Sequence, residues 1–207
     1  SIKQAQESKY INRIILTTDD EEIRQIGMKY GAEAPFLRPK NISGDLSTDL
    51  EFFQHYLKWT KENEPTKMPS ILVQLRPTYP TRKVAIIDDC IKTMLENMDY
   101  DCVRTAAEYN FKTPYKMYTV ENNKLRPLFE EYNGIQQPYN HCRQIFPQVY
   151  TANGYLEVIK TDTILKKNSV SGDKIYPYIM DESCIEDIDT EEEWLELEKK
   201  YRKILTV

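Results

Sequence analysis

The sequence predicts an α/β protein in which helices flank an open sheet, and two observations support this class. Short segments rich in β-branched residues alternate along the chain with segments of helical periodicity. Two of them, 13–18 and 70–75, run directly into polar turns that are followed by helices, as in the first half of a β-α-β unit. The 207 residues, 40% of them hydrophobic, suffice to bury the core of one domain, 1–207.

The overall charge and the cysteines narrow the class of protein further. A net charge of −5 argues against nucleic acid or an anionic membrane surface as the partner. The sequence contains no run of 18 apolar residues and no signal-peptide pattern, so we expect a cytoplasmic protein without a membrane segment. Four widely spaced cysteines without a C-x-x-C pair are predicted to be free thiols in a reducing compartment. They are Cys90, Cys102, Cys142 and Cys184.

The first predicted helix follows the strand at 13–18. A capping box that begins at Thr18 marks its start. Ile23, Ile26 and Tyr30 recur at helical spacing and predict its buried face. Gly31 is expected to end the helix, because glycine accepts the left-handed backbone that follows a last helical turn.

The middle of the chain predicts a central strand that ends in a basic turn. A helix is expected over about 49–63, with an apolar stripe typical of a core position. The apolar segment 70–75 then reads as a buried strand, and two prolines in the turn 76–82 forbid its continuation. A turn with two arginines at the carboxyl end of a central strand is a candidate site for an anion or a sugar. Another strand is expected at 101–106.

The segment 107–142 departs from the regular alternation. It is rich in tyrosine, asparagine, glutamine and proline, and it contains one predicted strand, 115–120, followed by a hairpin turn at 121–124. We interpret it as an excursion from the main sheet. It could form an interface with another protein chain, or it could be a plain loop, and both interpretations stay open. Strands are expected again at 155–159 and at 174–180, the latter at an edge because it contains a proline.

An acidic segment at 185–190 lies where a strand is expected to pass into the last helix. Asp187 and Asp189 stand two residues apart on an extended segment, so their side chains should point to the same side. Thr190 and Glu193 form a capping box for the helix, in which Trp194 is expected to face inward. The carboxylates could hold Mg²⁺ that keeps water or phosphate ligands. The alternative is a pair of solvated acids before a capped surface helix.

Five motifs occur in an order that resembles the acylneuraminate cytidylyltransferases. They are TTDDEEI, PFLRP, LRPTYPTR, CRQIFPQVYTANGYLEV and IEDIDTEEEW, and the resemblance runs from about residue 2 to 205. This family comprises the CMP-sialic acid synthetases and relatives that act on legionaminic, pseudaminic and other nonulosonic acids. The resemblance implies a Rossmann-like mixed sheet flanked by helices, of the nucleotide-diphospho-sugar transferase type. It also implies Mg²⁺, a nucleoside triphosphate and an acidic sugar as ligands, and a homodimer whose small lobe, 107–142, reaches toward the neighbour's sugar site.

The implied reaction is attack by a sugar hydroxyl on the α-phosphate of CTP, which gives a CMP-sugar and pyrophosphate. Such a reaction depends on positioning and charge neutralisation rather than on covalent chemistry by the protein. The resemblance makes Asp187 and Asp189 metal ligands, and makes Asp189 and Arg143 catalytic residues. Each arginine also has an alternative to a role in the site. Arg143 could instead pair with an acidic residue of the chain, and Arg38 could instead be a solvated loop residue. The residues implied to bind nucleotide or sugar are Arg38, Arg76, Thr78, Arg82, Gln144, Asn153, Gly154 and Glu157.

Two positions depart from the family pattern. Sialic acid synthetases have LQPTSPLR where this chain has LRPTYPTR, so Arg76 replaces a glutamine that contacts the sugar. Their N-G-A-I-Y motif ends in a tyrosine, which Glu157 replaces here. These changes predict a sugar whose hydrogen-bonding groups differ from those of sialic acid. The L-R-P-T form also occurs in relatives that act on bacterial flagellar or surface sugars, some of which use GTP, so both nucleotides stay open.

Members of this family open with a strand and a basic glycine loop, A-R-x-G-S-K-x-x-x-x-K-N, whose amides and cations hold the triphosphate. No such loop occurs among these 207 residues. We therefore expect the 207-residue chain by itself to have little synthetase activity. Two other functions stay open. One is a glycosyltransferase that binds its metal through a D-x-D motif, which is disfavoured because that motif usually lies in the middle of the chain. The other is an inactive relative that binds partners through 107–142.

Overall fold

A computed structural model describes residues 1–109, 113–181 and 187–205. The α-helices in these ranges are α1 (Ile2–Glu7), α2 (Glu21–Lys29), α3 (Asp49–Asn63), α4 (Val84–Glu96), α5 (Thr161–Lys167) and α6 (Glu191–Leu205). The strands are β1 (Ile71–Gln74), β2 (Cys102–Glu108), β3 (Tyr118–Glu121), β4 (Lys124–Pro127), β5 (Glu131–Tyr132), β6 (Ile135–Gln136), β7 (Tyr150–Lys160) and β8 (Ile175–Met180). No helix of the described residues is long and apolar enough to cross a membrane.

Four strands form the main sheet in the order β1-β7-β2-β8. Strand β7 is antiparallel to both β1 and β2, whereas β8 is parallel to β2. The sheet is therefore mixed, and it has helices on both faces. The predicted α/β fold with a mixed sheet is confirmed.

Each face of the sheet has its own core, because neighbouring strand residues point to opposite sides. Val158 packs with Ile87 and Met94 of α4 on one face. Ile159, the next residue of β7, packs with Leu57 of α3 and Ile164 of α5 on the other. Side chains of this size each stabilise the fold by roughly 1.5–3 kcal/mol when they are fully buried.

The position of β1 corrects the expectation of a central strand at 70–75. β1 lies at an edge of the described sheet, because β7, which comes much later in the chain, inserts between β1 and β2. An antiparallel insertion of this kind leaves no local trace in the sequence of β1. The edge position predicted for 174–180 is confirmed by β8, in which Pro177 pairs with one neighbour, Arg104.

The segment 13–18 is extended, but among the described residues it makes a single β-bridge, between Ile15 and Glu33, rather than a strand. Helix α2 follows as predicted, although its N-cap is Asp20 and not Thr18. The Asp20 carboxylate accepts a hydrogen bond from the N–H of Ile23 at 2.8 Å. Gly31 ends the helix as predicted, with φ +94°.

The expected buried face of α2 is wrong. Ile23, Ile26 and Tyr30 are about half exposed. The helix instead turns Gly27 toward the chain at 13–18, where the Leu16 side chain occupies the space that a Cβ atom would take. A close approach of backbone to side chain thus determines which face is buried.

Three further outcomes concern the second half of the chain. Hairpin β3–β4 has the predicted turn, in which Asn122 and Asn123 both have positive φ, as a two-residue type I′ turn requires. Helix α5 was not predicted, because seven residues are too few to show a helical period. Trp194 is 57% exposed, so the expectation that it faces inward is wrong. Both small hairpins, β3–β4 and β5–β6, lie outside the main sheet.

Candidate active site

Arg82 is the buried centre of the turn 76–82. The residue is 3% exposed, and its guanidinium donates to the carbonyls of Arg76 at 2.6 Å and Tyr79 at 2.8 Å, and also to the carbonyl of Tyr155. A further N–H donates to the hydroxyl of Ser1 at 3.0 Å. Burial lowers the pKa of Arg82 to about 10, so the side chain is still charged at neutral pH. These bonds shape the turn from within, and the predicted contact of Arg82 with a substrate stays a prediction.

A chain of alternating charges crosses the sheet beside this turn. Glu157 is 4% exposed and pairs with Arg76 at 3.4 Å and with Arg104 at 3.1 Å. Arg76 also pairs with Asp49, the first residue of α3, and donates to the carbonyl of Gly154 at 3.3 Å. The Glu157 carboxylate, which replaces the family's tyrosine, is therefore buried in ion pairs with Arg76 and Arg104 rather than exposed on the surface of a pocket.

Strand register explains why these charges meet. Glu157 of β7 is the cross-strand partner of Gln74 on one side and of Arg104 on the other. Each of the three lies two residues from a member of the core on the α3 side, so the three side chains share the face that α3 covers. These core residues are Leu72, Ile159 and Cys102. Sequence reasoning missed Asp49 and Arg104. An arginine inside the mostly apolar strand β2 was an available signal, since charged residues are rarely buried without a partner.

Asn153 and Gly154 form a bulge in β7. The β2–β7 pairing passes from Arg104 with Glu157 to Ala106 with Ala152, so residues 153–156 are set against Thr105 alone. The Asn153 side-chain oxygen accepts from the Thr105 hydroxyl at 2.7 Å, and Gly154 has φ +67°. The positive φ favours glycine at this position, and a Cβ atom would also come within 3.3 Å of the guanidinium of Arg76.

The acidic segment reaches the same turn from the other end of the chain. The Asp187 carboxylate accepts from the Tyr79 hydroxyl at 2.8 Å, and the N–H of Ile188 donates to the carbonyl of Thr78 at 3.0 Å. Burial, together with the bond to Asp187, raises the pKa of Tyr79, so its hydroxyl is protonated at neutral pH. The contact joins residues 108 positions apart, and it places the acidic segment beside the arginine turn.

The capping box predicted for the last helix is confirmed. The Glu193 carboxylate accepts from the N–H groups of Thr190 and Asp189, each at 2.8 Å, and the N–H of Glu193 donates to the Thr190 hydroxyl at 3.2 Å. Ile185 and Glu186, which the sequence placed on a preceding strand, lie outside the described residues.

Asp187 and Asp189 are both exposed and offer carboxylate oxygens, the ligands that Mg²⁺ prefers. Mg²⁺ usually binds through one or two carboxylates and keeps water or phosphate at its other positions, so the donor set fits this ion. Among the described residues no group of three or more acidic, histidine or cysteine side chains gathers around a common point.

Arg143 and Gln144 belong to a second group of predicted site residues. They lie in a short 3₁₀ turn, Arg143–Ile145, and line a cavity of about 320 Å³ together with Tyr109, Thr113, Phe146 and Gln148. The Thr113 hydroxyl is buried there and has no hydrogen-bond partner in the described part of the chain. Among described contacts, none joins Arg143 or Gln144 to Asp187 or to the turn 76–82.

The described contacts of Arg38 involve neither group. Its backbone N–H donates to the carbonyl of Thr18 at 2.7 Å, and its guanidinium contacts the Ser43 hydroxyl at 3.0 Å and Asp19 at 3.7 Å. The His55 ring packs edge-on against the Phe36 ring, with 4.6 Å between the ring centroids, and burial lowers the pKa of His55. The structure thus brings Arg76, Thr78, Arg82, Asn153, Gly154, Glu157 and Asp187 together in one place. Neither Arg38 nor Arg143 and Gln144 make a described contact with this group.

Comparison with known proteins identifies relatives over almost the whole chain. The family model described as cytidylyltransferase matches residues 1–191. The post-translational flagellin modification protein B of Campylobacter coli is 28% identical over 193 residues, which cover 92% of this chain and 77% of that protein. The CMP-N,N'-diacetyllegionaminic acid synthase of Campylobacter jejuni is 29% identical over 191 residues, with the same coverage of 92% and 77%.

A solved structure shares the fold. It is that of CMP:2-keto-3-deoxy-manno-octonic acid synthetase complexed with CTP, which superimposes with a TM-score of 0.61 over 99% of this chain and 85% of that one. The sequence identity of this pair is 11%, so the likeness concerns the fold alone.

Proposed function

Because the chain belongs to the cytidylyltransferase family, we propose that it transfers CMP from CTP to a nonulosonic acid and releases pyrophosphate. The observation that carries this proposal is the contact between Asp187 and the turn 76–82, which sets an exposed carboxylate beside the turn that contains Arg76 and Arg82. The class of sugar follows from relatives named as legionaminic and pseudaminic acid enzymes, and the nucleotide from the family description.

The reaction forms one bond and breaks another. A hydroxyl oxygen of the sugar bonds to the α-phosphorus of CTP, and the bond from this phosphorus to the bridging oxygen of the β-phosphate breaks. Pyrophosphate leaves with that oxygen, and the hydroxyl proton passes to the medium. No protein atom needs to bond to phosphorus, so the residues act by orienting the two substrates and by balancing their charge.

Asp187 and Asp189 would hold Mg²⁺ on the side of the turn where Tyr79 contacts Asp187. When bound, this ion supplies positive charge to the phosphate oxygens. Arg76, held between Asp49 and Glu157, presents its guanidinium beside Gly154 and is proposed to face the sugar. Arg38 is proposed to contact the nucleotide.

We further propose that the chain acts as a homodimer in which the lobe 107–142, with the adjoining Arg143 and Gln144, serves the neighbour's site. Two observations support this. Arg143 makes no described contact with the Asp187 group within one chain. Hairpin β3–β4 also exposes Tyr118, Val120 and Leu125, and large apolar side chains on one hairpin are typical of an interface.

The activity test uses the protein expressed from its complete gene, incubated with Mg²⁺, CTP and separate nonulosonic acids. We expect pyrophosphate release that depends on the acid, together with a product whose mass is that of CMP joined to the sugar. GTP in place of CTP should give no product. A parallel incubation replaces CTP with a nucleotide-sugar. Release of a nucleoside diphosphate there, with no pyrophosphate from CTP, would indicate a glycosyltransferase and contradict the proposal.

Mixing two inactive variants tests the shared site. Arg143→Ala and Asp189→Asn should each have little activity. In a two-fold dimer that shares its sites, a mixed dimer holds one site with both changes and one with neither. Random subunit exchange should then restore about one quarter of the wild-type activity. Activity no greater than the sum of the separate variants would show that Arg143 serves its own chain or no site.

A further inference from the structure

Tyr79 is a buried residue of the turn 76–82 for which the family pattern implies no role. It is 3% exposed. Its ring meets Tyr155 edge-on at 5.8 Å between centroids, and the guanidinium of Arg82 lies 5.2 Å from the ring centre. Aromatic and cation contacts on two sides fix the plane of the ring, so the phenol oxygen has a defined place. That place is against Asp187.

Both oxygens of the Asp187 carboxylate are held. Oδ2 accepts from the Tyr79 hydroxyl at 2.8 Å, and Oδ1 accepts from the N–H of Ile188 at 3.0 Å. An ionised carboxylate offers about four acceptor positions, so about two remain for a cation. The Asp187 carboxylate is therefore oriented and still has acceptor positions free to bind a cation.

Two adjacent residues of the turn hold two adjacent residues of the acidic segment. The carbonyl of Thr78 accepts from the same N–H of Ile188 at 3.0 Å, so this N–H is shared between the Thr78 carbonyl and Asp187 Oδ1. The hydroxyl of Tyr79 holds the side chain of Asp187. A carboxylate on an otherwise exposed segment would sample several rotamers, and a hydrogen bond from a buried, rigid donor selects one of them.

The same hydroxyl also contacts the backbone carbonyl of Asn153 in the β7 bulge. A phenol has one proton, so it donates to one of these two acceptors at a time. The bulge at Asn153 and the acidic segment thus share a single donor.

We propose that Tyr79 is a positioning residue whose hydroxyl orients the Asp187 carboxylate for a divalent cation. The inference rests on the proposed function, since it takes Asp187 to be a metal ligand. It adds a residue that holds this ligand and connects it to the turn and to the β7 bulge.

Tyr79→Phe tests the inference, because it removes the hydroxyl and keeps the ring. Binding of Mn²⁺, followed by electron paramagnetic resonance, should weaken about 10- to 100-fold, the loss typical of removing a partner that orients a metal ligand. In the pyrophosphate assay the Mg²⁺ concentration for half-maximal rate should rise by a similar factor, while kcat at saturating Mg²⁺ should recover. A misfolded variant would not recover in this way.

Tyr178→Phe is the matched control. Its hydroxyl donates to the carboxylate of Asp89 on α4 at 3.5 Å, so this change also removes a tyrosine–aspartate contact. It should leave the Mn²⁺ affinity unchanged. An equal loss in both variants would mean that the effect is general and would overturn the positioning role.

Asp187→Asn separates failure of this inference from failure of the proposed function. If Asp187→Asn abolishes Mn²⁺ binding and Tyr79→Phe leaves it intact, the positioning role is wrong and the proposed metal ligand stands. If Asp187→Asn itself has no effect on Mn²⁺, both the ligand and its positioning residue are wrong, while the pyrophosphate assay still reports on the transferase. When the two changes are combined, Tyr79→Phe should add nothing to Asp187→Asn.

Discussion

Asp189→Asn should lower kcat/KM for CMP transfer by roughly 10²–10³-fold, the loss typical of removing one group that stabilises developing charge. Asparagine keeps the size of the side chain but removes its negative charge, so the divalent cation loses a ligand that attracts it. The fold should be unaffected, since Asp189 is exposed and its described hydrogen bond, from its backbone N–H to Glu193, does not involve the side chain. The pyrophosphate assay measures the rate, and thermal unfolding confirms that the variant is folded.

Glu192→Gln is the control for this prediction. Glu192 is an exposed acid in the first turn of the same helix, α6, so the change removes an equal charge a few residues away. We expect its kcat/KM to stay near the wild-type value. Undiminished turnover in Asp189→Asn, or an equal loss in both variants, would show that Asp189 is not a metal ligand.

Glu157→Gln should destabilise the protein by about 3 kcal/mol, because removing one partner from a buried ion pair leaves charge without compensation. Glu157 is the shared partner of Arg76 and Arg104, which are both partly buried. Arg76 keeps its pair with Asp49, whereas Arg104 has no second ion pair among the described contacts. Urea unfolding monitored by circular dichroism gives the free energy of unfolding for the variant and the wild type.

Glu33→Gln provides the matched comparison. Glu33 forms a two-point pair with Arg13 at 2.7 and 2.9 Å, but its side chain is 53% exposed. Exposed pairs contribute at most about 1 kcal/mol, because water solvates both charges when they separate. If Glu157→Gln cost no more than Glu33→Gln, the charges that cross the sheet would not form the buried pairs described here.

Local features of the chain could be predicted because their causes lie within a few residues. Helix α3 spans the expected 49–63 and begins with a capping box between Thr48 and Glu51. The last helix begins at its own box, and the hairpin turn at Asn122 needs two residues of positive φ. In each case a side chain bonds to backbone three residues away, or a turn admits few residue types, so short windows of sequence suffice.

Predictions that depended on distant parts of the chain succeeded less often. The structure brings Asp187 into contact with the turn 76–82. However, the helical period that predicted a buried face for Ile23 and Ile26 could not show which face of α2 would be covered. The strand at 70–75 became an edge strand because β7 pairs beside it, and no residue of β1 records that choice.

By itself, the sequence determined the α/β class, most of the helices, the hairpin turn and the family, because these follow from periodicity, capping and ordered motifs along the chain. The tertiary structure alone decided that Arg82 is buried inside its turn, that Glu157 is buried in ion pairs with two arginines, and that Arg143 lines a cavity beside Thr113 and Phe146. The reason is physical. Burial and ion pairing depend on which strands become neighbours in the sheet, and strand order results from packing across the whole chain rather than from any one segment.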